Sequence, residues 1–215
     1  MSSEATEVCY LPLKEGINIE DGEAKAILTA TLDTIAKQDG LKSLYHGKQI
    51  EHPSIFQMVI TWHSIDNHEA FQQKPEYQPF LERIGNILSG PPDIFHANLL
   101  EGTNALDAAV TECIAAYFAS DADQAKYAEH GWKKFGDAAA EIPGVQVQGL
   151  TGGWSVEPRD LDGEESKVFA GFIGWPSVGA HMEFRKTEDF TKVVPLLRGG
   201  TKKIAVHHVA FVRHA

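Results

Sequence analysis

Trp62-His63-Ser64-Ile65-Asp66-Asn67-His68-Glu69-Ala70-Phe71 recurs later in the chain as Trp175-Pro176-Ser177-Val178-Gly179-Ala180-His181-Met182-Glu183-Phe184. Trp, Ser, His and Phe hold matching places, and each follows its counterpart by 113 positions (175 minus 62). Serine directly before a helix commonly caps the first turn, so Ser64 and Ser177 predict that a helix begins after each. The repeated junction indicates one supersecondary unit of about a hundred residues that is used twice.

Three further pairs extend the repeat: Cys9 with Cys113 and Gly40 with Gly144 at a spacing of 104, and His96 with His208 at a spacing of 112. The spacing grows from 104 to 113 between Gly144 and Trp175, which predicts a single insertion in the second copy. The polar residues 159–166 are the candidate for this insertion. We predict two domains, residues 1–102 and 103–215.

The hydrophobic pattern of each copy predicts the element order β-α-β-β-α-β, which is the ferredoxin-like unit. Pro75 interrupts the apolar pattern after His68 and separates two helical stretches. In the first copy we predict strands at 8–11, 41–49, 54–62 and 94–100, with helices at 23–37, after Ser64 and around 77–88. In the second copy we predict strands at 110–118, 145–156, 167–175 and 204–212, with helices at 123–141 and 177–197.

Such a unit places both helices on one face of a four-stranded sheet and leaves the other face uncovered. In strands 54–62 and 204–212, residues of both parities are apolar, so neither face of the sheet is suited to water. The predicted fold class is therefore α+β, with two ferredoxin-like β-α-β-β-α-β repeats packed sheet to sheet as an intrachain α/β barrel.

The composition argues against several classes of partner. The formal net charge is −11, whereas binding to nucleic acid or an anionic membrane requires clustered Lys and Arg. No stretch approaches the roughly 20 apolar residues of a membrane span, and the polar N-terminus lacks the features of a signal peptide. Cys9 and Cys113 lie in apolar strand-like runs, as buried thiols do. We expect a reduced, cytoplasmic protein without nucleic-acid or membrane partners.

The element order, the Trp-x-Ser-x-x-x-His-x-x-Phe sequence and the continuation Phe80-Leu81-Glu82-Arg83 resemble the dimeric α/β-barrel superfamily. The resemblance is to its antibiotic-biosynthesis-monooxygenase-type (ABM) domains, and the tandem form is similar to two-repeat proteins of filamentous fungi. It covers nearly the whole chain and implies a small-molecule pocket between sheet and helices in each repeat. It also implies a monomeric pseudo-dimer, and leaves further pairing into a homodimer open.

Activities of this family include cofactor-independent oxidation of polyphenols, polyketide cyclisation, heme degradation and stress-related binding. The resemblance implies a cofactor-independent monooxygenase, or a cyclase or lyase, that acts on an aromatic or polyketide-like substrate. The second hypothesis is a non-catalytic ligand-binding or stress-response protein. The chain departs from the family at Phe71 and Phe184, where many members carry His. It also has Tyr77 where the polyketide cyclases have the second His of His-Pro-x-His.

Two sets of residues are candidates for the site. His46, Tyr77 and His96 are predicted as catalytic and Asn98 as substrate-binding, with a histidine as general base and Tyr77 or Asn98 orienting an enolate or phenolate oxygen. The competing interpretation is that these are scattered polar residues with local hydrogen bonds. The duplicated pairs are predicted to line the substrate pocket, or alternatively to pack as structural residues: Trp62 with Trp175, and His68 with His181.

A metal site needs about three convergent His or carboxylate ligands, and the sequence has no His-x-His or His-Glu-x-x-His spacing. His207 and His208 point to opposite faces of a strand, so they cannot share an ion. The glycine pairs at 152–153 and 199–200 are turn signals rather than phosphate-binding loops. We therefore predict no metal and no cofactor.

Overall fold

The computed structural model describes residues 4–100 and 104–215. The chain forms two compact units: unit 1 contains the described residues up to His96 together with Val212–Ala215, and unit 2 contains those of Ala97–Phe211. The predicted junction between residues 102 and 103 lies outside the described residues.

Unit 1 contains the predicted β-α-β-β-α-β order, with the second helix split in two. Its elements are β1 (Ala5–Pro12), α1 (Gly22–Ala36), β2 (Leu41–Lys48), β3 (Ile55–Trp62), α2 (Ile65–Gln72), α3 (Tyr77–Gly85) and the first part of β4 (Asp93–Leu99), whose last three residues belong to unit 2. The strand order is β10-β2-β3-β1-β4, where β10 (Val212–Arg213) is a short strand from the end of the sequence. Leu28, Leu32 and Ile35 of α1 pack on the sheet because they recur at helical spacing.

Unit 2 repeats this order after a 3-10 turn at Asn104–Asp107. Its elements are β5 (Val110–Ala119), α4 (Gln124–Tyr127), a π-helical segment (Ala128–Lys133), α5 (Lys134–Ala140), β6 (Gly149–Ser155), β7 (Arg159–Leu161), β8 (Glu164–Trp175), α6 (Val178–Phe184), α7 (Glu188–Arg198) and β9 (Lys203–Val209). The order is β4-β6-β8-β5-β9, and the last residues of β4, Ala97–Leu99, pair with β6. The predicted fold class, α+β with two ferredoxin-like repeats, is confirmed.

The insertion of the second copy lies where the spacing places it, but it is not a simple turn. Arg159–Leu161 pairs with Glu164–Ser166, the start of β8, and closes a hairpin over Asp162 and Gly163. Both turn residues have positive φ, at 56° and 87°. The inserted residues therefore lengthen β8 and add a strand to its edge.

Only one of the two predicted serine caps forms. The Ser177 hydroxyl accepts a hydrogen bond from the Ala180 backbone N–H at 3.0 Å, as predicted. The Ser64 hydroxyl lies instead 3.0 Å from Asn67 Oδ1, and α2 has no side-chain cap. Position 67 is Asn in the first copy and Ala180 in the second, and the Asn side chain competes for the serine.

The two cysteines are buried in strands as predicted, but they are not equivalent. Cys9 lies opposite Met58, whereas Cys113 lies opposite Phe172, which is 114 positions after Met58 rather than 113. They therefore sit on opposite faces of their sheets, and matching one with the other was wrong by one residue. The correct spacing of the first strands is 105, since Ala5 faces Trp62 and Val110 faces Trp175.

Burial of the strands differs between centre and edge. In β3, every residue after Ile55 is buried, so both faces of this central strand are covered. In β9, Ala205 and Val206 are exposed, which contradicts the expectation that neither sheet face meets water. Among the described residues, no helix has both the length and the apolar character needed to cross a membrane.

Candidate functional site

A buried carboxylate lies beside the indole N–H of Trp62, the residue that ends β3. Glu7 of β1 pairs with Ile60, which brings its side chain to the same face as Trp62 two residues further along β3. Trp62 Nε1 donates a hydrogen bond to Glu7 Oε2 at 3.0 Å. Trp62 is 1% exposed and Glu7 4% exposed, so the carboxylate depends on protein donors rather than on water.

Two histidines complete this network in unit 1. The ring of His68, one turn into α2, stacks on Trp62 with 5.4 Å between centroids and 12° between planes. Its Nδ1 lies 2.8 Å from Nε2 of His96 and 3.6 Å from Glu7 Oε2. Its Nε2 contacts the Gln72 side chain at 3.3 Å. Strands β1, β3 and β4 and helix α2 thus each supply one residue of a single buried polar network.

Unit 2 contains the same network. Trp175 Nε1 donates to Glu112 Oε2 at 3.1 Å, and His181 stacks on Trp175 at 4.8 Å and 16°. His181 Nδ1 lies 2.8 Å from His208 Nε2, and Glu112 and His208 are paired residues of β5 and β9. We call these two sets the unit 1 network (Glu7, Trp62, His68, His96) and the unit 2 network (Glu112, Trp175, His181, His208).

The copies differ in which ring nitrogen faces the carboxylate. In unit 1, the Glu7 oxygen is near Nδ1 of His68, the same nitrogen that contacts His96. In unit 2, the Glu112 oxygen is 3.4 Å from Nε2 of His181, and Nδ1 is turned to His208. His181 therefore bridges a carboxylate and an imidazole through opposite edges of its ring.

The electrostatics of the unit 2 carboxyl suit proton transfer near neutrality. Burial raises the pKa of Glu112 from its usual 4.5 to about 7, against the opposing effects of the Trp175 hydrogen bond and the positive charge of Arg185. A carboxyl with a pKa near 7 exchanges its proton readily at neutral pH, which is the property of a general acid or base.

Each network forms part of the wall of a cavity between the sheet and the helices of its own unit. The unit 1 cavity has a volume of about 50 Å³ and is mostly apolar, with Phe71, Tyr77 and Phe80 among its lining residues. The unit 2 cavity has a volume of about 220 Å³ and includes two arginines, Arg185 and Arg198. Only the second approaches the roughly 300 Å³ at the lower end of ligand pockets.

The difference in lining follows from substitutions at equivalent positions. Gln72 and Tyr77 of unit 1 correspond to Arg185 and Phe190 of unit 2, each 113 positions later. Tyr77 and Phe190 pack edge-on against Phe71 and Phe184 at 5.1 and 5.4 Å. The second copy has thus lost a hydroxyl and gained a cation at its cavity.

A wider groove of about 560 Å³ lies elsewhere in unit 2, beside the π-helical segment and the end of α7. Its charged and imidazole side chains, Asp123, Lys126 and His130, are exposed. None of the network residues lines it, so we place the candidate chemistry at the smaller unit 2 cavity.

The structure brings together some of the predicted site residues. Trp62 and His68 line the unit 1 cavity together with Tyr77, and His96 lies behind His68. Burial, followed by the negative charge of Glu7, raises the pKa of Tyr77, and Gln72 hydrogen-bonds its hydroxyl. In unit 2, His181 lines the cavity and Trp175 stacks behind it.

Two predicted residues lie away from this cavity. His46 of β2 stacks on Phe56 at 5.5 Å, and burial together with His214 lowers its pKa to about 4, so it is neutral near pH 7. Asn98 is exposed on β4, opposite Trp154 in unit 2. Neither is among the residues that line the unit 1 cavity.

Sequence reasoning missed both carboxylates of the networks. Glu7 belongs to the polar N-terminal stretch, and the one-residue error in matching Cys9 with Cys113 hides its counterpart Glu112. At the correct spacing of 105, Glu7 matches Glu112, and this match is the signal that identifies the pair.

Three solved structures have a similar fold over nearly the whole chain. A protein from Lactobacillus acidophilus, named as a monooxygenase, has a TM-score of 0.61 at 14% identity and covers 100% of this chain and 95% of its own. An anthrone oxidase-like protein has a TM-score of 0.70 at 13% identity, with 98% and 92% covered. A protein from Fusobacterium nucleatum, also named as a monooxygenase, has a TM-score of 0.59 at 8% identity, with 98% and 93% covered.

These likenesses show a shared fold. No protein-family model matches the sequence, and no curated protein is significantly similar to it. The two organisms named above are bacteria, so the likeness to the fungal two-repeat type stays a prediction.

Proposed function

We propose that the protein is a small-molecule monooxygenase of ABM type and that the unit 2 cavity is its reaction site. The observation that carries this proposal is the position of His181, which lines the 220 Å³ cavity while contacting Glu112 at 3.4 Å and His208 at 2.8 Å. In the tautomer that donates Nδ1–H to His208, His181 has an unprotonated Nε2 that can accept a proton, as a general base requires.

The proposed substrate is an aromatic or polyketide-like molecule with an acidic C–H bond, such as an anthrone. His181 accepts the proton, and Glu112 and the Trp175 ring stabilise the resulting imidazolium. The carbanion reacts with O2, so that a methylene group becomes a carbonyl and one water is released. This reaction consumes one O2 and needs no cofactor.

The arginines of unit 2 have a role in this reaction. Arg185 and Arg198 line the cavity, and the field of Arg185 reaches Glu112. A guanidinium near the substrate oxygen stabilises the enolate or phenolate that forms as the proton leaves. Unit 1 has Gln72 and Gly85 at the equivalent positions, so this charge stabilisation belongs to unit 2.

The test measures O2 uptake and quinone formation with anthrone in air-saturated buffer, against a blank without protein for autoxidation. We expect His181→Gln to lower the rate by about 100-fold or more, the range of general-base catalysis. The matched variant His68→Gln, at the same position of unit 1, is expected to keep the rate. Equal rates in wild type and His181→Gln contradict the proposal.

A second candidate function is ligand binding without catalysis. In the unit 1 network, Trp62 donates to Glu7 at 3.0 Å and the two histidines lie 2.8 Å apart, yet the cavity is only about 50 Å³. The network is thus compatible with a purely structural role. Quenching of tryptophan fluorescence by anthrone without O2 uptake would favour this second function.

A further inference from the structure

We propose that the unit 1 network is a binding site for one first-row divalent metal ion, with Glu7, His68 and His96 as ligands. Each of these residues offers one donor atom, and the three atoms all lie within 4.8 Å of one another. Within the described ranges, 4–100 and 104–215, this is the one group of three such residues that converges in this way.

The distances fit a small coordination sphere. Metal–nitrogen and metal–oxygen bonds of about 2.1 Å at tetrahedral angles place neighbouring donors about 3.4 Å apart. His68 Nδ1 lies 2.8 Å from His96 Nε2 and 3.6 Å from Glu7 Oε2, on either side of that value. Two imidazoles and one carboxylate form a donor set that binds zinc and non-heme iron.

The surroundings hold the donors in place. Trp62 Nε1 donates to Glu7, and Gln72 contacts His68 through Nε2, the ring nitrogen away from the proposed ion. Metal-binding histidines usually have such a partner on the second nitrogen, which fixes the ring and its tautomer. The exposed fractions of Glu7, His68 and His96 are 4%, 5% and 8%, so the donors are already desolvated.

The protonation of the histidine pair and the space beside it also suit a bound cation. The 2.8 Å contact between the two imidazoles requires a proton between them, and a bound cation replaces this proton, which is released to solvent. The cavity of about 50 Å³ is bordered by Glu7 and His68 and has room for a water molecule as a fourth ligand.

Unit 2 supplies an internal control. There the Glu112 oxygen faces Nε2 of His181, while His208 faces Nδ1, so the carboxylate and the second imidazole lie on opposite edges of the ring. The three donors do not converge on one point. The two copies therefore predict one ion per chain, not two.

The experiment titrates the tag-free chain of 215 residues, stripped of metal, with Co2+ and Zn2+. We expect one equivalent per chain, a Co2+ ligand-field spectrum of low coordination number, and a rise in the unfolding temperature with Zn2+. His96→Gln is expected to weaken binding by more than about 100-fold, beyond the effect of losing an outer partner of a ligand. The counterpart variant in unit 2, His208→Gln, is expected to bind one full equivalent of metal per chain.

Glu7→Gln is the second variant, because it retains the acceptor for Trp62 while removing the negative charge. Glu7→Gln is expected to lose the Co2+ spectrum. It provides the test if circular dichroism shows that His96→Gln folds poorly. Absence of binding, binding that survives both Glu7→Gln and His96→Gln, or loss of binding in His208→Gln would each overturn the proposal. Since none of these readouts measures turnover, the result is independent of the oxygenation proposed for unit 2.

Discussion

His181 Nδ1 lies 2.8 Å from His208 Nε2, the same separation that joins His68 Nδ1 to His96 Nε2. The two histidine pairs come from corresponding helices and strands, and the helical histidine of each pair is stacked on a tryptophan. What differs is the side from which the carboxylate approaches, and the residue four positions after the helical histidine. The duplicated network has thus kept its Trp–Glu and His–His hydrogen bonds, while the carboxylate–histidine contact and the cavity-facing side have changed.

The raised pKa of Glu112 predicts a specific dependence of stability on pH. Its folded-state pKa is about 7 against 4.5 when exposed, so the folded state holds the proton more tightly. The stabilisation of the folded state by protonated Glu112 is therefore fully present below pH 4.5. As pH rises to about 7 it is lost, and the free energy of unfolding falls by up to about 3 kcal/mol. Urea unfolding of wild type and Glu112→Gln between pH 4.5 and 8 measures this difference. Glu183→Gln, at an exposed side chain, serves as the control and should follow the wild type.

Trp175→Phe removes the N–H that Glu112 accepts at 3.1 Å. Hydrogen bonds to charged groups contribute about 1.5–3 kcal/mol, and those between neutral groups about 0.5–1.5 kcal/mol. The matched change is Trp154→Phe, since Trp154 Nε1 donates to the neutral carbonyl of Gln124 at 3.1 Å. At pH 8 we expect the larger loss in unfolding free energy for Trp175→Phe. Equal losses would show that the carboxylate does not depend on its indole donor.

The two serines predict unequal effects of the same substitution. Ser177→Ala removes the bond from the Ala180 N–H and is expected to lower the unfolding free energy by about 1 kcal/mol. Ser64→Ala removes only a contact with the Asn67 side chain and is expected to cost less. Chemical denaturation of both variants compares them directly, and a greater loss for Ser64→Ala would contradict the assigned caps.

Gly171 of β8 lies where a side chain has no room. A Cβ there would meet the Trp132 ring at 2.6 and 2.7 Å, so Gly171→Ala should destabilise by about 1–3 kcal/mol. Gly136 of α5 is the control, because its Cβ would lie at ordinary distances of 3.5 and 3.6 Å from Leu150. Gly136→Ala should stabilise the helix by about 0.5–1 kcal/mol. Thermal unfolding of the two variants, with shifts of opposite sign, tests this packing.

The sequence predicts the fold well because the signals of the fold are local. Apolar spacing, Pro75 and the repeated Trp and His define elements without knowledge of their contacts. The network was only partly predictable, because Glu7 and His96 meet His68 from distant parts of the chain. Sequence motifs for metal ligands consist of residues close together in the chain. Glu7, His68 and His96 are instead brought together by β1, α2 and β4. A one-residue alignment error was sufficient to hide both glutamates.

Strand β10 completes the sheet of unit 1 with residues that are translated after unit 2. Val212 pairs with His46 and Arg213 with Tyr45, and Leu44 exchanges backbone hydrogen bonds with His214 and Ala215. These residues leave the ribosome only after all of unit 2 has been translated. The edge of β2 therefore lacks β10 while more than a hundred further residues are translated. A nascent chain arrested before Val212 contains a unit 1 that is still missing this strand.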